Sequence, residues 1–240
     1  MTTSTAITTS TIITMIMTEN TASLLRLMSW LSPAFPVGAF AYSHGLERAI
    51  HDGLISDRSS LVGWLDDLVE RGSGWNDAVL LAEGWREASA GGDCDDVIEL
   101  AEAMAGSKER HMETTLQGSA FVEAAAAWII PEGRQSFLKG RPVPYPVAVG
   151  MTAARHSLSL PETLTAYLHA FTSNLIQSAV RLVPLGQRDG VAALAALESV
   201  IVRAASRAAR SSLDDLGSAT FFSDLLSMRH ETQYSRVFRS

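Results

Sequence analysis

The chain has 240 residues, 47% hydrophobic and 19% charged, with a formal net charge of −7. That size and apolar content support a packed globular core and argue against disorder, while the acidic balance speaks against general affinity for nucleic acid or an anionic membrane surface. The single cysteine, Cys94, excludes an internal disulfide and any paired-cysteine metal site, and suits a reducing, cytoplasmic setting.

Residues 1–18 are rich in Thr, Ser and Ile and hold no Lys or Arg, so they carry neither the basic start of a secretory signal nor the arginines of a transit peptide. They are expected to form a disordered tail outside the fold. No apolar run reaches the ~18 residues needed to span a bilayer. From about residue 20 the chain reads as helix after helix. Leu24, Leu25, Leu27, Met28 and Leu31 mark a first short apolar face. Pro33 and Pro36 stop it, because each fixes φ and lacks an N–H, and Gly38 offers a position for positive φ. Phe35 is held between the two prolines, and Trp30, Phe40, Tyr42 and His44 crowd the same stretch of a chain only 7% aromatic. Such rings either plug the domain's own core or serve as stiff anchors for a partner, and periodicity alone favours the core.

Helix is expected to resume over Phe40 to Ile50 and to end near Asp52-Gly53. Ser56-Asp57 then caps a helix with Leu61, Trp64, Leu65, Leu68 and Val69 at helical spacing. After Gly72-Ser73-Gly74 a fourth helix runs from Trp75 to about Ala88. Asp93 caps Val97 to Met104, and Ser107 opens a longer element to about Trp128. Residues 131–146, with Pro131, Gly133, Gly140, Pro142, Pro144 and Pro146, read as a loop. Helix returns from Tyr145 to about Leu158. Ser159 and Glu162 then have the spacing of a capping box, and Leu164, Tyr167, Leu168, Phe171, Leu175, Ile176, Ala179, Val180 and Val183 hold one apolar face beyond it. At 1.5 Å per residue this element spans ~35 Å, the diameter of a small domain. Gly186 to Gly190 is expected to be a turn, followed by a helix from Val191 to about Arg210. No stretch alternates with period two as a sheet would. The fold class is all-α: a single-domain bundle of about eight to ten helices around a long central helix near 161–183.

Few of the residues suggest chemistry. No phosphate-binding loop exists, and the only lysines are Lys108 and Lys139. His230-Glu231 begins like a zinc-protease motif, but Tyr234 stands where the second histidine belongs. Adjacent carboxylates such as Asp66-Asp67 diverge on a helix rather than converge. Asp66-Asp67-Leu68-Val69-Glu70 nominally matches the acidic cluster of a metal-dependent α-bundle enzyme, yet Trp64, Leu65, Leu68 and Val69 claim the buried face. His44, Glu47 and His51, at i, i+3 and i+7, could share one helical face and are weak candidates for contact with a metal. The C-terminal stretch Arg229, His230, Glu231, Thr232, Gln233, Tyr234, Ser235, Arg236, Val237, Phe238, Arg239, Ser240 is basic within an acidic protein. Tyr234, Val237 and Phe238 would lie together on a helical turn. This tail either docks a partner or folds back on its own bundle.

The run Ser32-Pro-Ala-Phe-Pro-Val-Gly-Ala-Phe-Ala-Tyr-Ser-His-Gly-Leu-Glu47 resembles the N-terminal signature of UreF-type urease accessory proteins. Met228-Arg-His-Glu-Thr-Gln-Tyr-Ser-Arg-Val-Phe-Arg-Ser240 resembles their closing motif, with Val237 where Leu is commoner. Tyr145 to Gly150 and Asn174 to Gln187 are similar to further blocks of the family, so the resemblance runs in order over about residues 23–240. It is looser at 107–119, where Leu116-Gln117-Gly118-Ser119 stands in place of the more usual Met-Gly.

The resemblance implies an all-α, dimeric, non-enzymatic chaperone. It would bind the accessory protein UreD (UreH) largely through its C-terminal region, recruit the GTPase UreG, dock on apo-urease and assist nickel insertion. Nickel would pass in transit, with no stably bound cofactor. The implied layout is a tail over 1–18, a UreF-like domain over 19–228 and a partner-binding tail over 229–240. Candidate partner-binding residues are Phe35, Pro36, Gly38, Phe40, Tyr42, His44 and Glu47 at one end. At the other they are Arg229, His230, Glu231, Tyr234, Arg236, Phe238 and Arg239. A generic helical scaffold with other partners is the alternative.

Overall fold

The computed structural model describes residues 9–128 and 141–239, with side chains from residue 20 onward. Among these the chain is helical, with no strand. In chain order the helices are α1 (Thr9–Trp30), α2 (Leu46–His51), α3 (Arg58–Arg71), α4 (Ser73–Ser89) and α5 (Asp95–Ala103). They continue with α6 (Lys108–Ala125), α7 (Tyr145–Arg155), α8 (Leu160–Leu182), α9 (Gln187–Ala208) and α10 (Phe221–His230).

Side-chain caps fix several of the helix starts. Asp57 and Ser60 form a reciprocal box at α3: Ser60 N–H donates to Asp57 Oδ1 at 2.8 Å, and Asp57 N–H donates to Ser60 Oγ at 3.1 Å. Ser107 Oγ accepts from Arg110 N–H at 3.1 Å at the start of α6, and Ser159 Oγ accepts from Glu162 N–H at 3.4 Å at the start of α8. The apolar face of α8 is buried where its spacing predicts. Leu164, Leu168, Leu175, Ile176 and Ala179 lie in one continuous core, packed against α4 and α9. Helix α4 lies along α7, joining Val79, Leu81 and Ala82 to the same core as Val147 and Ala148.

Four sequence expectations change. Residues 9–18, assigned to a disordered tail, are the first turns of α1, because no proline or glycine precedes Pro33 to break the helix; residues 1–8 lie outside the described residues. Helix does not run over Phe40 to Ile50. Ala39–Ala41 is a single 3-10 turn, Tyr42 is extended, and α2 begins only at Leu46, because His44 (φ 52°) and Gly45 (φ 75°) both take the left-handed region. The turn over 186–190 is shorter than expected: α9 starts at Gln187, where Asp189 Oδ2 accepts from Gly186 N–H at 3.2 Å. The boundary between residues 228 and 229 falls inside α10, so the body and the tail share a helix. The expected loop over 131–146 lies outside the described residues up to position 140; residues 141–144 lead without regular structure into α7.

Candidate interaction site: where the two chain ends meet

The N-terminal loop, α2, α6 and α10 converge on buried charge. Gly45 allows the approach: at φ 75° it needs no Cβ, and a Cβ there would lie 2.9 Å from Ser227 N and 3.2 Å from Ser223 O of α10. With α10 seated on Gly45, His230 at its end is fully buried, its two ring nitrogens aimed at two carboxylates. Nε2 is 3.1 Å from Glu47 Oε2 of α2, and Nδ1 is 2.9 Å from Glu109 Oε2 of α6. Arg236 reaches back to Glu109 Oε1 at 2.5 Å. Glu47 also accepts from the backbone N–H groups of Val237 at 2.7 Å and Phe238 at 2.9 Å. Arg239 N–H donates to Ala41 O at 2.7 Å, and the Arg181 guanidinium of α8 lies 4.9 Å from the centre of the buried Phe238 ring. Glu231 Oε1 accepts from Lys108 N–H at 2.9 Å at the start of α6.

One turn along α6, a second buried network joins the loop to α4 and α8. His44 Nε2 is 2.9 Å from Glu113 Oε1, which also accepts from Gln117 Nε2 at 2.9 Å, while Arg110 pairs with Glu113 Oε2 at 2.6 Å. Arg110 stands 3.6 Å from Asp77 Oδ1, and the Tyr167 hydroxyl donates to Asp77 Oδ2 at 3.0 Å. The His44 ring packs edge-on against Phe171 at 4.9 Å. Burial alone would raise the Glu113 carboxyl, but Arg110 and His44 outweigh it and bring it down to about 2. For Asp77 burial prevails over Arg110 and His44 and holds the carboxyl above its ordinary range. Burial keeps the Tyr167 phenol far above its usual value, with Asp77 adding to the effect, so it remains a donor.

The sequence-predicted residues therefore part company. Phe35 is half-buried against Phe121 (5.6 Å) and Trp128 (6.2 Å), in a cluster where Trp30 meets both rings edge-on. Tyr42, His44, Glu47, His230 and Phe238 are buried. Pro36, Phe40, Arg229, Tyr234, Arg236 and Arg239 are exposed, Gly38 (φ 73°) and Glu231 partly so. Tyr234, Val237 and Phe238 do not share a helical turn, because α10 ends at His230 and the N–H groups of Val237 and Phe238 are committed to Glu47. His44, Glu47 and His51 do not form one metal-facing set. His44 turns to Glu113, Glu47 to the tail, and the exposed His51 lies 3.3 Å from Asp52. Among the described residues no group of three or more His, Cys, Asp or Glu is placed to hold a metal ion. The acidic cluster on α3 faces arginines: Asp67 pairs with Arg71, and Glu70 with Arg203 and Arg207.

Sequence reading missed Glu109, Glu113 and Gln117. Their i, i+4, i+8 spacing puts them on one face of α6, which looks like a solvated stripe until a histidine is brought to it.

An all-α body whose two ends are clamped together by buried charge, under a surface of exposed rings and arginines, defines a helical interaction protein. A family model for UreF matches residues 55–198. The chain is 56% identical over 231 residues to "Urease accessory protein UreF 1" of Brucella abortus biovar 1 (strain 9-941), covering 96% of this chain and 100% of that relative. It is 55% identical over 228 residues to "Urease accessory protein UreF" of Mesorhizobium japonicum, covering 93% and 100%. The chain belongs to the UreF family: it is an accessory protein of urease maturation and not a catalytic enzyme. Among the described residues no helix is long and apolar enough to cross a membrane.

Proposed function

We propose that this chain bridges UreD (UreH) and the GTPase UreG on apo-urease and assists the insertion of nickel. The observation that carries the reading is the joint surface of the two ends. Phe40 from the loop and Tyr234, Val237, Arg236 and Arg239 from the tail are exposed, while the backbone beneath them is pinned by Glu47 and Ala41. Rings and arginines on a pre-ordered backbone lose little entropy on docking. With no phosphate loop in this sequence, GTP hydrolysis falls to UreG, and nickel is cargo in transit through a cytoplasmic assembly. A homodimer is supported by a separate surface, where exposed Leu24 and Met28 of α1 and Val191 and Val202 of α9 line one groove.

Co-expression with UreD and UreG tests the reading. Co-purification of all three and activation of co-expressed urease are expected; recovery of this chain without either partner would overturn it. Light scattering of the isolated chain at monomer mass would remove the dimer.

A further inference from the structure

Between the N-terminal loop and α8 lies a cavity of about 200 Å³ whose floor is the second charge network. A cavity of ~150 Å³ takes a benzene-sized guest, so this one has room for a long side chain. Its walls include Val37, Phe40, Tyr145 and Phe171, and its mouth is at Phe40, 67% exposed. The floor carries two carboxylates, Asp77 and Glu113, against the guanidinium of Arg110 and the imidazole of His44, whose Nε2 lies 2.9 Å from Glu113 Oε1 and 2.9 Å from Arg110 Nη1. Glu113 is fully engaged by Arg110, His44 and Gln117, whereas Asp77 receives one hydrogen bond, from Tyr167, and Arg110 stays 3.6 Å from its other oxygen. A donor bearing positive charge would complete that oxygen, and the surrounding rings would present their faces to the same charge.

We propose that this cavity is a socket for a single cationic side chain, Lys or Arg, presented by a protein that docks on the Phe40 surface. The proposal rests on the adaptor reading above and names the chemistry of its partner. The stem of the side chain would lie against Val37 and Phe40, and its head would reach Asp77. An acidic side chain would meet two carboxylates, while Arg110 is already engaged by Glu113 and His44.

The test titrates the isolated chain with butylguanidine, butylamine and the neutral alcohol n-pentanol, which has one heavy atom more than butylamine, followed by NMR. Both cations should saturate in the range of about 1–10 mM, as expected for so few heavy atoms, with shifts confined to residues lining the cavity, and pentanol should bind at least tenfold more weakly. Asp77→Asn keeps the contact with Tyr167 and should weaken both cations at least tenfold. Phe40→Ala, at a site 67% exposed, should weaken them severalfold. Equal binding of pentanol, or cation binding unchanged by both variants, overturns the socket. In a second arm Asp77→Asn should weaken assembly with the docking partner at least tenfold. Unchanged assembly, with probe binding lost, would assign the cavity to a free amine and overturn the side-chain occupant. Failure of the unsubstituted chain to assemble at all would instead overturn the adaptor reading, whatever the probes do.

Discussion

The carboxylate of Glu47 accepts from the backbone N–H of Phe238 at 2.9 Å, joining two residues 191 positions apart. The same carboxylate holds Val237 N–H and His230, so one side chain fixes both the end of α10 and the path of the tail. Glu47→Ala would leave two backbone donors without their acceptor and the buried imidazole of His230 with Glu109 alone. The expected loss is about 3–5 kcal/mol, the usual cost of breaking a buried charged network on one side, read by denaturant titration. Deleting residues 229–240 should also lower the melt, since it removes the buried His230 and Phe238. In the Glu47→Ala background the same deletion should cost much less. Equal costs in both backgrounds would mean that Glu47 and the tail act independently.

The acid limb of stability should depend on α6. Glu113 is held at about 2 in the folded chain against 4.5 for the free side chain, so its contribution is complete above pH 4.5 and is lost as pH falls toward 2. Asp77 runs the other way: its folded carboxyl is raised, so its ionised form opposes folding, and the protonated form is favoured as pH falls. Glu113→Gln should therefore flatten the fall in stability between pH 4.5 and 2, and Asp77→Asn should remove the opposing gain, which lies at higher pH, from the raised folded value down to the ordinary 3.8. An unchanged profile for Glu113→Gln would show that Glu113 is not the group being lost.

Two glycines of the N-terminal motif make a matched pair. Gly38 has φ 73° with nothing within 4 Å of a Cβ, so Gly38→Ala should cost only backbone strain of about 1 kcal/mol. Gly45 has nearly the same φ, but its Cβ would meet the backbone of α10. Gly45→Ala should cost more and free the tail, read as faster proteolysis after residue 230. Equal melts for the two variants would remove the close approach as the reason for Gly45.

Much of the fold can be read along the chain because the interactions that set it are local. The apolar face of α8 and the caps at Asp57, Ser107 and Ser159 involve residues within a few positions of one another. Leu168, fully buried where the periodicity puts it, should lose about 2–5 kcal/mol on replacement by Ala. The candidate site is a different case. Its pairs, Glu47 with Phe238, Glu109 with His230 and His44 with Glu113, are set by how the helices pack. Each partner alone resembles a surface charge or a helix former. The left-handed backbone at His44 is a tertiary choice as well, made where Glu113, Phe171 and α10 converge, and it overrides the helical pattern of Phe40 to Ile50.

Phe35 and Phe40 separate folding from docking. Both rings belong to the stretch that most resembles the family signature, and the sequence offers no reason to treat them differently. Phe35 is wedged between Phe121 and Trp128, beside Trp30, so Phe35→Ala removes a ring from a packed cluster and should lower stability by about 2–4 kcal/mol, somewhat below the cost for a fully buried ring. Phe40 is 67% exposed at the mouth of the cavity, beside the clamped tail, so Phe40→Ala should leave the melt within about 0.5 kcal/mol of the unsubstituted chain. As a central aromatic anchor its loss should weaken partner binding by about 2 kcal/mol, close to thirtyfold. The two measurements are a thermal melt of the isolated variants and the affinity of each for the UreD and UreG assembly. A Phe40→Ala chain that binds normally would remove the loop from the docking surface. A Phe40→Ala chain that melts early would place the ring in the core beside Phe35.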